Sequence, residues 1–226
     1  MKILLCILAI IIPYTLTSQG FDISYYHGNL TLDDFTCFNN GGFDLVILQA
    51  WTSQGPNKFF ESNYLNALAS PIPNIDIYAV ICNQCPDNDP KKLCKDLYEF
   101  LPERNTFDGT LWLSVGPCDG CWSEDPDKNL DFIEKTALSC KEAGFEEVGI
   151  YSTYAGWGNV LHSPTKGTPA LAKLGLWYVQ YDNEAGFDDF SQVSFGEWKN
   201  LPANTIKQYG GIASTCGLLV SVNFRN

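Results

Sequence analysis

The sequence predicts an α/β fold, an irregular and compact (β/α) TIM-like barrel. Two observations predict it. Apolar, β-branched runs alternate along the chain with helical segments, the order that builds βαβ units around a largely parallel sheet. About eight such runs fit into roughly 205 residues, where a full barrel of this type takes about 250.

In chain order, Phe21 to Tyr25 reads as a first short strand. Leu32 to Asn40 reads as a short helix with Thr31 as N-cap, Asp33 and Asp34 in its first turn, and Gly41-Gly42 as its stop. Phe43 to Trp51 is a fully buried strand. Asn57 to Ala69 is helical, ended by Pro71 and Pro73. Ile75 to Cys82 is a strand, and Asp89 to Leu101 a helix with Pro90 at its start. Thr110 to Gly116 is a strand stopped by Pro117. Pro126 to Ala143 is the longest helix, capped by Asp125 and ended by Gly144. Glu147 to Ser152 is a strand, and Ala155 to Leu161 a short helix or loop. Strands follow at Leu174 to Tyr181, Thr205 to Tyr209 and Leu218 to Val222, and Asp182 to Asn204 is irregular. There is no repeat, low-complexity tract or linker, so residues 19–226 read as one barrel domain.

Residues 1–18 read as a secretory leader. Lys2 precedes an apolar run from Ile3 to Ile12 that is too short to span a bilayer, and cleavage is expected between Thr17 and Gly20. The mature chain is expected to be secreted, or to reside in the lumen of the secretory or lysosomal pathway. Asn29-Leu30-Thr31 is a glycosylation acceptor in line with that route. The formal net charge of −12 argues against nucleic-acid binding and against membrane lysis by a cationic face.

Of the nine cysteines, Cys6 falls in the leader. Eight remain: Cys37, Cys82, Cys85, Cys94, Cys118, Cys121, Cys140 and Cys216. Cys82-x-x-Cys85 and Cys118-x-x-Cys121 follow neighbouring strands and should share one rim. Four thiolates there could hold zinc, or one pair could be a redox dithiol. An oxidising compartment favours disulfides, so no metal and no cofactor is expected. Pairing is not legible from spacing; a bond joining the two ends, Cys37 to Cys216, is the expectation.

Residues at the C-terminal ends of barrel strands face the active site. In the strand Thr110 to Gly116, alternation puts Ser114 and Gly116 on one face. That pair offers one hydroxyl and one hydrogen where a barrel enzyme carries its chemistry.

The order of short motifs resembles the Chalaropsis-type lysozymes, glycoside hydrolase family 25. Gly20-Phe21-Asp22-Ile23-Ser24 begins it, and Phe43 to Trp51 continues it. Val148-Gly149-Ile150-Tyr151-Ser152, Leu176 to Tyr181 and Ile206-Lys207-Gln208-Tyr209 follow. Asp76-Ile77-Tyr78 leading into Cys82-Asn83-Gln84-Cys85-Pro86 is similar to the nematode and protozoan branch in particular. The resemblance implies an irregular (β/α) barrel and cleavage of the β-1,4 link between N-acetylmuramic acid and N-acetylglucosamine. It also implies four acidic positions: an Asp in the first strand, an Asp-x-Glu ending a middle strand, and an Asp before x-Asn near the C-terminus. Here they fall on Asp22, Ser114, Gly116 and Ser221.

Three of the four acids are therefore replaced. Glycoside hydrolysis needs one carboxyl to protonate the leaving oxygen and another to attack or to stabilise the oxocarbenium-like centre. Asp22 alone cannot fill both roles, so muramidase activity is expected to be absent or severely reduced. Asp119 and Asp182 are the candidate substitute acids. Tyr151, Tyr178 and Tyr181 are candidate sugar-stacking rings, while Trp112 reads as core. Three functions follow: a secreted lysozyme-like protein that binds bacterial wall glycan in innate defence, a working lysozyme with relocated acids, and a secreted protein-interaction module. The sequence leaves the oligomeric state open.

Overall fold

The structure, a computed structural model, describes residues 18–86 and 88–225. The apolar leader lies outside the described residues. The strands are β1 (Ser18–Ile23), β2 (Leu45–Thr52), β3 (Gly55–Pro56), β4 (Asn74–Val80), β5 (Thr110–Ser114), β6 (Glu147–Ser152), β7 (Gly175–Val179), β8 (Thr205–Thr215) and β9 (Leu218–Arg225). All but β3 form a closed barrel in the order β1-β2-β4-β5-β6-β7-β8-β9, with β9 returning to β1. Pairing is parallel from β1 round to β8 and antiparallel on both sides of β9. Among the described residues no helix is long and apolar enough to cross a membrane.

The helices are α1 (Leu32–Asn40), α2 (Phe60–Ala69), α3 (Pro90–Phe100), α4 (Pro126–Ala143), α5 (Tyr154–Leu161) and α6 (Phe190–Val193). Their starts follow from local chemistry. The Thr31 hydroxyl accepts from Asp34 N, and the Asp34 carboxylate accepts from Thr31 N at 2.7 Å, a reciprocal cap. Asp89 and Asp125 cap α3 and α4, each followed by a proline that the first helical position tolerates. Gly144 ends α4 at φ 124°, a conformation that an L side chain rarely adopts.

Alternation along the strands sorts the core into two layers. Inside the barrel are Leu45, Ile47, Tyr78, Trp112, Trp177 and Ile206. Between the barrel and the helices pack Phe21, Val46, Leu48, Ile77, Leu111, Leu113, Ile150, Leu176 and their helical neighbours. Trp112 fills the interior because β6 and β7 place glycines against it. A Cβ on Gly149 would stand 2.3 Å from the Trp112 ring, and one on Gly175 3.2 Å from it. The expectation of a core Trp112 holds.

The predicted elements recur with shifted ends. The first strand starts at Ser18 and stops at Ile23, because Tyr25–His27 forms a 3₁₀ turn in which His27 Nδ1 accepts from Ser24 N at 2.9 Å. Strands β8 and β9 run longer than their apolar cores and form one hairpin, turned by Cys216 and Gly217 at φ 54° and 77°. Two consecutive positive φ values suit the twist of a two-residue hairpin loop.

All eight cysteines form disulfides: Cys37–Cys216, Cys82–Cys85, Cys94–Cys140 and Cys118–Cys121. The expected end-to-end bond ties α1 to the β8–β9 turn. Cys94–Cys140 joins α3 to α4, and each C-x-x-C closes on itself.

Candidate functional site

Asp22 is the centre of the barrel mouth. On β1, Phe21 and Ile23 point outward into the helical layer, so Asp22 points inward, in register with Ile47 of β2 and Ser221 of β9. Its Oδ2 accepts from Gln208 Nε2 at 2.6 Å and from Asn223 Nδ2 at 2.9 Å. Gln208 Oε1 in turn accepts from the hydroxyls of Tyr151 at 3.1 Å and Tyr181 at 2.8 Å. Asn223 Oδ1 accepts from Trp177 Nε1 at 2.8 Å. One network thus joins β1, β6, β7, β8 and β9 around a single carboxyl.

Burial raises the Asp22 pKa from 3.8 to about 6, against the opposing pull of the Asn223 and Gln208 hydrogen bonds and of His27. Its hydrogen-bonding partners are neutral amides, so desolvation prevails. His27 is fixed nearby: Nδ1 accepts from Ser24 N, and Nε2 lies 2.9 Å from Leu219 O, which assigns the proton to Nε2. A carboxyl titrating near 6 exists in both forms close to neutrality. It can donate to a sugar oxygen when protonated and accept from a sugar hydroxyl when ionised.

The other three acidic positions of the resemblance fall at the same end. Ser221 stands directly opposite Asp22 across the β1–β9 ladder, its hydroxyl donating to Gly211 O at 3.1 Å. Ser114 ends β5 beside Tyr151 of β6. Gly116 follows it, held by Trp122 Nε1 donating to its carbonyl at 2.7 Å. A Cβ built on Gly116 meets no atom within 4 Å, so the space for a side chain is open.

The remaining sequence-predicted residues divide. Tyr151 and Tyr181 belong to the Asp22 network, and Tyr181 is 58 % exposed, available to a ligand. Tyr178 does not belong to it. Alternation turns Trp177 inward and Tyr178 outward, where it is buried against Phe190 and donates to Asp189 Oδ1 at 2.9 Å. Asp182 also lies outside the mouth, 2.7 Å from the buried Nζ of Lys207, which precedes the inward-facing Gln208 and points the other way. Burial pushes the Asp182 carboxyl up, but the hydrogen bond and charge of Lys207 outweigh it and hold the group below its ordinary value. Asp119 is exposed in the turn between Cys118 and Cys121, and Asn29 is exposed before α1.

Gln208 and Asn223 are the site residues that sequence reasoning passed over, although each is a buried polar side chain within an apolar strand. Asp76 was passed over too. It lies inside the barrel at the opposite end, its Oδ2 accepting from Trp112 Nε1 at 3.0 Å and from Arg225 at 3.2 Å, and its Oδ1 from Thr110 N at 3.0 Å. Burial raises its pKa against the pull of Arg225.

Comparison with known proteins identifies the same fold. The family described as Lys-1, lysozyme-like protein 1, matches residues 17–209. "Counting factor 45-1" of Dictyostelium discoideum is 32 % identical over 98 % of this chain and 71 % of its own length. "Probable GH family 25 lysozyme 3" of the same organism is 30 % identical over 99 % of this chain. The chain spans only 44 % of that relative's length. Among solved structures, a family GH25 lysozyme from Aspergillus fumigatus shares the fold with a TM-score of 0.70 at 18 % identity, over 93 % of this chain and 94 % of that one. The modular autolysin LytC from Streptococcus pneumoniae, in complex with a synthetic peptidoglycan ligand, gives 0.66 at 19 % identity, over 92 % of this chain and 46 % of the other.

Proposed function

This chain belongs to the family of lysozyme-like proteins, and we propose that it binds bacterial wall glycan without cleaving it, as a secreted protein of innate defence. The observation that carries the reading is the state of the mouth. Asp22 stands among neutral amides and tyrosine hydroxyls, and the positions where family 25 enzymes bring further acids hold Ser114, Gly116 and Ser221. Hydrolysis through an oxocarbenium-like transition state needs two carboxyls about 5–9 Å apart. The two substitute acids do not serve: Asp182 is bound to Lys207, and Asp119 is a solvated turn residue. What the mouth retains suits a sugar: a carboxyl that titrates near 6, and the hydroxyl and exposed face of Tyr181. The peptidoglycan ligand bound by the pneumococcal autolysin is of this chemical class. The four disulfides suit an oxidising compartment.

The test is co-sedimentation of the mature protein with insoluble peptidoglycan, together with a turnover assay on purified walls. Retention that soluble wall fragments reverse, with no release of reducing ends, is the expected result. Turnover comparable to that of an active lysozyme, abolished in Asp22→Ala, overturns it in favour of a working glycosidase. A relative named as a counting factor favours a second reading, a secreted protein-interaction module. Absence of any retention on peptidoglycan selects that reading.

A further inference from the structure

The two C-x-x-C segments play no part in the mouth, yet they form the densest cluster of metal-ligating atoms among the described residues. They leave the C-terminal ends of β4 and β5, which are hydrogen-bonded neighbours. The sulfurs of Cys82, Cys85 and Cys121 lie within 4.8 Å of one another, and Cys118 is bonded to Cys121. A tetrahedral zinc tetrathiolate has Zn–S bonds of about 2.3 Å and hence sulfurs about 3.8 Å apart. Three of the four sulfurs are therefore already within reach of one ion, and opening the bridges frees each pair to separate and Cys118 to turn in beside Cys121.

The segments are also fastened together without their sulfurs. Asn83 N and Gln84 N both donate to Cys121 O, at 2.9 and 3.1 Å. Asn83 Nδ2 donates to Asn129 Oδ1 at 2.6 Å, and Ser123 N donates to Asn83 Oδ1 at 3.1 Å. Asn129 is itself anchored on Val160 O and Ser123 O. The positions of the two segments thus outlast the opening of their disulfides.

Opening those two bonds costs the fold least. Each closes a sequence separation of 3, whereas Cys94–Cys140 spans 46 and Cys37–Cys216 spans 179. In the chain-entropy account a bridge stabilises more as its loop lengthens. Access separates them from Cys94–Cys140 alone: Cys85 and Cys118 are partly exposed and both Cys94 and Cys140 are fully buried, whereas Cys37 is exposed, so the Cys37–Cys216 bridge is kept by its long loop and not by shielding.

We propose that on reduction Cys82, Cys85, Cys118 and Cys121 bind one zinc ion as a tetrathiolate, so that this rim carries either two disulfides or a metal. Two molecules of a dithiol reductant each give two electrons and two protons and are oxidised to their own disulfides. The four thiols so formed lose four protons as zinc binds.

The experiment uses the whole mature chain, reduced anaerobically with a phosphine and titrated with Co²⁺ and then Zn²⁺. One Co²⁺ per chain is expected, with the sulfur-to-cobalt charge-transfer band and the intense visible bands of a tetrahedral site, displaced by equimolar Zn²⁺. Alkylation mapping is expected to find Cys37–Cys216 and Cys94–Cys140 still bridged, and the other four thiols protected by Zn²⁺. Cys121→Ser is expected to weaken binding by more than about 100-fold, since it removes a direct ligand where loss of a mere supporting contact costs 10–100-fold. Cys37→Ser with Cys216→Ser is expected to leave affinity unchanged. The proposal is overturned if the reduced chain keeps its near-ultraviolet circular dichroism and binds no metal. It is equally overturned if selective reduction unfolds the chain, or if Cys121→Ser binds as tightly as the parent.

Discussion

The barrel holds an inward-facing carboxyl at each end, buried at the floor and half-buried at the mouth, and the two are treated differently. At the floor, Asp76 meets a guanidinium, an indole N–H and a backbone N–H, which occupy both of its oxygens. At the mouth, Asp22 meets two side-chain amides whose other ends hold tyrosines and a tryptophan. Both acids are desolvated, but only Asp76 has a cation in direct contact. The floor carboxyl is built to close the barrel. The mouth carboxyl is kept uncompensated, poised between its two protonation states, and that is the state a ligand can use.

The largest expected effect is at the floor. Asp76→Ala leaves Arg225 and the Trp112 indole without their acceptor, and should cost about 3–5 kcal/mol, as breaking a buried pair does. Denaturant unfolding reads it, and a loss below about 1 kcal/mol would break the comparison. Next is the restoration of acids at the mouth. Ser114→Asp, Gly116→Glu and Ser221→Asp together should raise wall hydrolysis by at least about 100-fold, the lower end of what a general acid contributes. Gly116 has the space for a side chain, and Ser221 adjoins Asp22. A triple variant that stays folded and inactive would show that the mouth lacks more than its acids.

Smaller is the effect of Asp22→Asn. The folded-state pKa of about 6 lies above the unfolded value of 3.8, so the folded chain holds this proton more tightly. Its contribution to stability is complete below pH 3.8, declines as pH rises to about 6, and is a fixed penalty above that. Asp22→Asn should therefore be more stable than the parent by about 3 kcal/mol at pH 7.5, with no advantage at pH 3.5. The same change at Asp76 should destabilise at either pH, because both of its oxygens accept hydrogen bonds and the amide NH2 would face a donor in place of an acceptor. Parallel pH series of thermal unfolding distinguish the two signs. The smallest effect is that of Tyr181→Ala on stability, within about 0.5 kcal/mol for so exposed a side chain. Its retention on insoluble peptidoglycan should nevertheless fall clearly below that of the parent.

Much of the frame was legible because local chemistry wrote it. Asp125, Pro126 and Gly144 bound α4 at both ends, and Thr31 set the start of α1. The apolar runs marked the strands, and glycine and proline marked their stops. The site was legible only in part. Asp22 was singled out by the resemblance and Tyr151 and Tyr181 by strand-end position, and the structure gathers these three into one hydrogen-bonded network. Tyr178 was misassigned because a one-residue step reverses the face of a strand, and the sequence did not say which of Trp177 and Tyr178 turned inward. Asp182 was placed near the mouth for the same reason, since its partner Lys207 faces away from the interior.

The sequence by itself determined the alternation of strands and helices, the absence of a carboxyl at Ser114, Gly116 and Ser221, and the leader-like start with eight cysteines beyond it. These are properties of residue identity and order. Only the tertiary structure decided that Gln208 and Asn223 grip Asp22, that the floor belongs to Asp76 and Arg225, and that each C-x-x-C closes on itself beside the other. Those outcomes depend on strand register and on barrel closure through β9, which bring together residues as far apart as Asp22 and Asn223. Closure is a long-range event, set by the packing of all eight strands at once, and no local pattern encodes it.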